Sequence, residues 1–140
     1  MRALSIAPAL AAAGLLALAP AARADEPIYG VWQNPKNSVH LEIRHCGQGA
    51  ACGVVVWASP KAQADALKGS GQPLVGETLF RELKPGSDGV WQGKVFVPDL
   101  NKTFSGSAKV VEGGEALQAK GCFIGNLLCK SQTWRRVAAG

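Results

Sequence analysis

The sequence predicts an all-β protein, a single small up-and-down antiparallel barrel of about eight strands. Three observations carry that expectation. Apolar and polar residues alternate with a period of two in run after run from Tyr29 onward, helical periodicity is almost absent, and turn-forming clusters separate the runs at hairpin spacing. Eight consecutive strands with short connections leave no exposed edge if the sheet closes on itself. A two-sheet sandwich is the alternative.

Tyr29 to Gln33 opens the series. Ser38 to Arg44 shows the alternation most clearly, with Val39, Leu41 and Ile43 on one face and His40, Glu42 and Arg44 on the other, the mark of a half-buried strand. Gly53 to Ala58 is the third run. The connection from Ser59 to Gly76 is the longest, broken by Pro60, Gly69, Gly71 and Pro73, and it reads as a loop or lid with one short helical turn over Ala62 to Leu67. Strands are then expected at Glu77 to Leu83, Val90 to Val97, Thr103 to Val111, Ala116 to Phe123 and Gln132 to Val137. Clusters such as Asn34-Pro35-Lys36-Asn37, Gly47-Gln48-Gly49, Pro85-Gly86-Ser87-Asp88-Gly89 and Glu112-Gly113-Gly114 supply the turns.

Residues 1–24 read as a cleaved signal peptide, which leaves residues 25–140 as the barrel domain. Arg2 is the positive flank, Leu10 to Leu18 the apolar stretch, and Ala22-Arg23-Ala24 the small-residue cleavage site. No later apolar run is long enough to span a bilayer, so no membrane span is expected after cleavage. The first cysteine is Cys46, well past the cleavage site, which excludes a lipoprotein anchor. The chain has 140 residues and a formal charge of +5, but its basic residues are scattered, apart from Arg135-Arg136, so a nucleic-acid partner is not expected. The product expected is a monomer, periplasmic or secreted.

Export exposes thiols to an oxidising compartment, and four cysteines there predict two disulfides. Three pairings are open in principle. The spacing favours the local one, Cys46 with Cys52 and Cys122 with Cys129, each closing a turn-like stretch. A zinc site is disfavoured because its knuckles hold cysteines closer together.

Gly30-Val31-Trp32 on the first strand has the Gly-x-Trp form found at the start of lipocalin barrels. Taken with Cys52-Gly53-Val54-Val55-Val56-Trp57, Trp91-Gln92-Gly93-Lys94-Val95-Phe96-Val97-Pro98, Lys102-Thr103-Phe104, Gly121-Cys122 and Cys129-Lys130-Ser131-Gln132-Thr133-Trp134-Arg135-Arg136, it closely resembles the bacterial envelope family known as domain of unknown function 2147. The resemblance implies a lipocalin-like barrel without an established activity. It also implies that Gly30 and Trp32, with Arg135 or Arg136 laid against the indole, close one end.

Chemistry is sparse. His40 shares a polar strand face with Glu42 and Arg44, and His45 adjoins Cys46 at a turn, so both are expected at the surface rather than in acid/base roles. There is no Gly-x-Ser-x-Gly nucleophile motif, no metal-type histidine pair and no phosphate-binding glycine loop. No catalytic residue, metal or cofactor is therefore expected. Trp32, Trp57, Trp91 and Trp134 fall inside strands, where packing in the core is the ordinary role. One face of the strand from Thr103 reads Phe104, Gly106, Ala108, Val110, and the next reads Leu117, Ala119, Gly121, Phe123; such small residues either leave room inside or let the wall pack closely. The reading that follows is a carrier of a small apolar or amphipathic ligand lined by Trp32, Val39, Leu41, Ile43, Phe104, Ala108, Leu117 and Phe123. The alternative is a non-enzymatic envelope interaction module with a filled barrel.

Overall fold

The computed structural model describes residues 11–14, 27–124 and 127–138. Apart from 11–14, the expected signal peptide lies outside the described residues, as does its cleavage site. Eight strands form one closed barrel in chain order: β1 (Gly30–Gln33), β2 (Val39–His45), β3 (Ala51–Ala58), β4 (Thr78–Pro85), β5 (Trp91–Val97), β6 (Lys102–Val111), β7 (Ala116–Cys122) and β8 (Cys129–Arg136). Every neighbouring pair is antiparallel, including β8 with β1 across the seam. The predicted architecture is the one observed. Up-and-down order puts the β1–β2, β3–β4, β5–β6 and β7–β8 connections at one end, and the other turns with the entering chain at the opposite end.

Period-two alternation sorts side chains onto the two faces of the wall. Leu41 and Ile43 of β2, Val55 of β3, Leu83 of β4, Trp91 of β5, Ala108 of β6, Leu117 and Ala119 of β7 and Trp134 of β8 are buried together with Trp32. Phe80 and Trp134 meet edge to face with ring centroids 5.6 Å apart. Leu79 and Phe80 are both buried, next to the register shifts between β3 and β4.

Trp57 corrects the expectation that all four tryptophans pack in the core. Leu41 pairs with Val55 and His40 with Trp57, so Val56 is an extra residue in β3. Such a bulge turns the following side chain to the opposite face. Trp57 accordingly stands outside, 44% exposed, against the ring of His40.

Both disulfides form as the spacing favoured, Cys46–Cys52 and Cys122–Cys129. Each closes a short loop and contributes about 2 kcal/mol by restricting the unfolded chain. Cys122 and Cys129 are direct cross-strand partners, which is why β8 starts three residues before the predicted Gln132.

The long connection holds more helix than the one turn expected. α1 spans Pro60–Ser70, with Ser59 Oγ accepting from the Ala62 N–H, proline in the first turn and Gly71 in the left-handed conformation at the C-terminus. The helix rests on the 3-10 turn Pro98–Leu100 between β5 and β6. A β-carbon on Gly69 would come within 2.4 to 2.6 Å of Pro98 and Asp99 backbone atoms, so only glycine permits that approach. Gly69→Ala should therefore destabilise the protein by about 1–3 kcal/mol through overpacking, despite the better helix propensity of alanine. Urea unfolding checks this, and a stabilised variant would show that the helix does not sit on the turn.

Candidate functional site

One end of the barrel is shut. Trp32, fully buried, donates its indole N–H to Ile28 O at 2.9 Å, which folds the entering chain under the barrel. The Arg136 guanidinium lies 4.2 Å from the Trp32 ring centre and donates to three carbonyls, Gly114 O at 2.8 Å, Tyr29 O at 2.9 Å and Pro27 O. Gly30 has φ +124°, and a β-carbon there would come within 2.7 Å of Arg136 Nη1. The Gly-x-Trp sequence is thus explained by the arginine it accommodates. Of the two arginines proposed for closure, Arg136 closes the end, whereas Arg135 pairs with Glu112 at the surface.

The opposite end opens into a cup of about 390 Å³. Its apolar floor is Val39, Leu74, Leu79 and Pro98, and its rim carries Lys36, Lys61, Asp65, Asp99 and Gln132. Three connections build it: the β1–β2 turn, α1, and the turn between β5 and β6. Asn34 Oδ1 accepts from the Ser38 and Val39 N–H groups at 2.7 and 3.0 Å, and its Nδ2 donates to Ser38 Oγ at 2.9 Å, which fixes the first turn. Gln63 Nε2 donates to Ala58 O at 2.9 Å and ties α1 to the end of β3. Lys61 Nζ donates to Asp65 Oδ2 at 2.7 Å. That hydrogen bond and the attraction it carries hold the Asp65 carboxyl below the usual carboxylate range and the Lys61 ammonium above its ordinary value, so the rim pair stays ionised around neutral pH.

The eight residues proposed to line a lumen do not come together in one place. Trp32, Leu41, Ile43, Ala108 and Leu117 pack into the core. Val39 stands in the cup. Phe104 and Phe123 meet edge to face, centroids 4.5 Å apart, and belong to neither group. The small residues of the wall divide as well. A β-carbon on Gly106 would strike Val95 Cγ2 at 2.3 Å, so that position serves close packing, whereas Gly121 faces open space. Beneath the cup, Trp134 is 5% exposed, and its Nε1–H has no partner among the described residues.

Sequence reasoning missed the cup because most of its lining comes from connections rather than strands. A signal was present: Ser59-Pro60 is a helix start, Lys61 and Asp65 are one turn apart, and Gly71 is a stop. A larger but shallow depression of about 630 Å³ lies on the outer wall among Cys52, Glu77, Arg81, Glu82, Lys94 and Thr103. Arg81 there is already engaged by Glu77 at 3.1 Å and by Thr78 O at 2.9 Å. The histidines are also on the outside, His40 Nε2 donating to Asn37 Oδ1 at 2.6 Å and His45 stacked on Tyr29. Among the described residues, no group of three or more His, Cys, Asp or Glu side chains is placed to hold a metal, and no helix is long and apolar enough to cross a membrane.

A closed eight-stranded barrel plugged by a Trp–Arg pair at one end and cupped at the other is lipocalin-like in architecture. The family described as "Uncharacterized protein conserved in bacteria (DUF2147)" matches residues 30–136, and the chain belongs to it. Among solved structures it is similar to protein HP1028 from Helicobacter pylori, described as belonging to the lipocalin family, with 16% identity and a TM-score of 0.62 over 79% of this chain and 83% of that one. That likeness is one of fold. No curated protein is significantly similar to the chain.

The two arginines should differ sharply on replacement. Arg136→Ala removes three charge-assisted hydrogen bonds and the stacking on Trp32, and should cost about 2 kcal/mol or more. Arg135→Ala loses one exposed ion pair and should stay within about 0.5 kcal/mol of the wild type. Denaturant melts of both variants decide it; equal losses would mean that the guanidinium does not close the barrel.

Proposed function

We propose that this protein is an exported, monomeric, non-catalytic binding protein that holds a small amphipathic molecule in the cup at the open end of its barrel. The observation that carries the reading is the cup itself. Its volume falls within the range of small-molecule sites, and it joins an apolar floor to a charged rim. An apolar segment of the ligand rests on Val39, Leu74, Leu79 and Pro98, and a polar group meets Lys36, Lys61 or Gln132. The lipocalin-like fold is compatible with this use, and two disulfides fit an oxidising compartment, a periplasm or the cell exterior. Binding rests on shape and burial and requires no metal or cofactor.

The second reading is a filled barrel that displays its surface to a partner. It draws on the packing of the lower half, where Trp32, Leu41, Ile43 and Leu117 are at most 1% exposed.

Native mass spectrometry of the protein purified gently from its own host separates the two. The ligand reading expects a small-molecule adduct that is lost on denaturation. Ala62→Trp, placed on the helical wall of the cup, should abolish that adduct while the near-ultraviolet circular dichroism still reports a folded barrel. Wild-type protein that emerges at its bare mass would remove the support for a carrier and favour the display scaffold.

A further inference from the structure

The open end carries apolar side chains that stand largely in solvent. Leu127 is 85% exposed, and Leu67, Leu100, Ile124 and Leu128 are each more than half exposed. They come from three different connections, α1, the turn between β5 and β6, and the β7–β8 loop, which chain order places at one end of the barrel. The Cys122–Cys129 disulfide clamps the base of the loop carrying three of them. Solvent-facing leucine and isoleucine gathered in this way mark an interaction surface.

Charge identifies what the surface meets. Lys36, Lys68, Lys102 and Lys130 are exposed at the same end. Of the three acidic groups there, Asp65 is hydrogen-bonded to Lys61 and Glu77 is paired with Arg81, which leaves Asp99 against these four lysines. Exposed lysines at the same end as protruding apolar side chains complement a bilayer with anionic headgroups, where the apolar groups enter the acyl boundary and the lysines stay at the phosphates. A second copy of the chain fits worse, since a twofold contact would bring the lysines of one copy against those of the other.

We infer that the open end of the barrel docks on the surface of an anionic lipid bilayer through Leu100, Ile124, Leu127 and Leu128, with Lys102 and Lys130 at the headgroups. The contact is peripheral, and it does not depend on the cup holding a ligand.

Co-sedimentation of the oxidised protein with vesicles tests this. Vesicles of phosphatidylglycerol and phosphatidylethanolamine should bind it at least tenfold more tightly than vesicles of phosphatidylcholine alone, and raised salt should release it. The double variant Leu127→Asp/Leu128→Asp should lose at least tenfold in affinity, with circular dichroism and both disulfides unchanged. Lys102→Glu/Lys130→Glu should weaken binding and flatten its salt dependence. Three outcomes would overturn the inference: no binding of the wild type to anionic vesicles, equal binding by wild type and the leucine variant, or a dimer in sedimentation velocity that the leucine variant dissociates. The salt release of the wild type keeps the test decisive should a variant misfold, and a bare mass in the native spectrum would leave vesicle binding unaffected.

Discussion

The barrel depends on the seam where its last strand meets its first. β7 and β8 align over seven residue pairs, whereas β8 and β1 align over two, Trp32 with Arg136 and Gln33 with Arg135. So short a ladder is a weak join for a sheet that must close. Arg136 reinforces it by gathering carbonyls from the entering chain and from the β6–β7 turn onto one planar cation, while its face covers Trp32. A lysine has neither the fork nor the flat face to do both. The Val137 N–H adds a bond to Val31 O at 2.8 Å on the same seam.

With one end fixed in this way, the other is free of any closing duty. Its connections are long or irregular, and α1 lies across the rim rather than in the wall. Packing follows the same division. Aromatic and aliphatic side chains fill the barrel towards the plug, and the space that remains lies at the mouth, where floor and rim come from separate connections. The lipocalin-like architecture therefore contributes a rigid cylinder, and the properties that distinguish this chain reside in what decorates its open end.

Most of the barrel was legible because alternation is a local signal that a half-buried wall imposes on every strand. The Ser38 to Arg44 run and the β6 and β7 runs fall almost where the pattern puts them. The misplaced details have physical causes. Trp57 was lost to a bulge, which is a pairing event between strands and leaves no mark in the residue order. The choice between Arg135 and Arg136 was in fact legible: Trp134 is inside, so strand parity turns Arg136 towards the same side. The cup was the least legible feature, since turns from distant parts of the chain assemble it, and their proximity follows only from the closed topology.

Each cysteine bonds to the next one along the chain, Cys46 to Cys52 and Cys122 to Cys129, and each crosslink stays within one hairpin. A chain that meets an oxidant with its N-terminal part first would join its thiols in order of arrival. For many topologies that order traps wrong pairs, and an isomerase must undo them. Here arrival order and native order coincide, so oxidation of the thiols in that order yields the correct covalent framework without reshuffling.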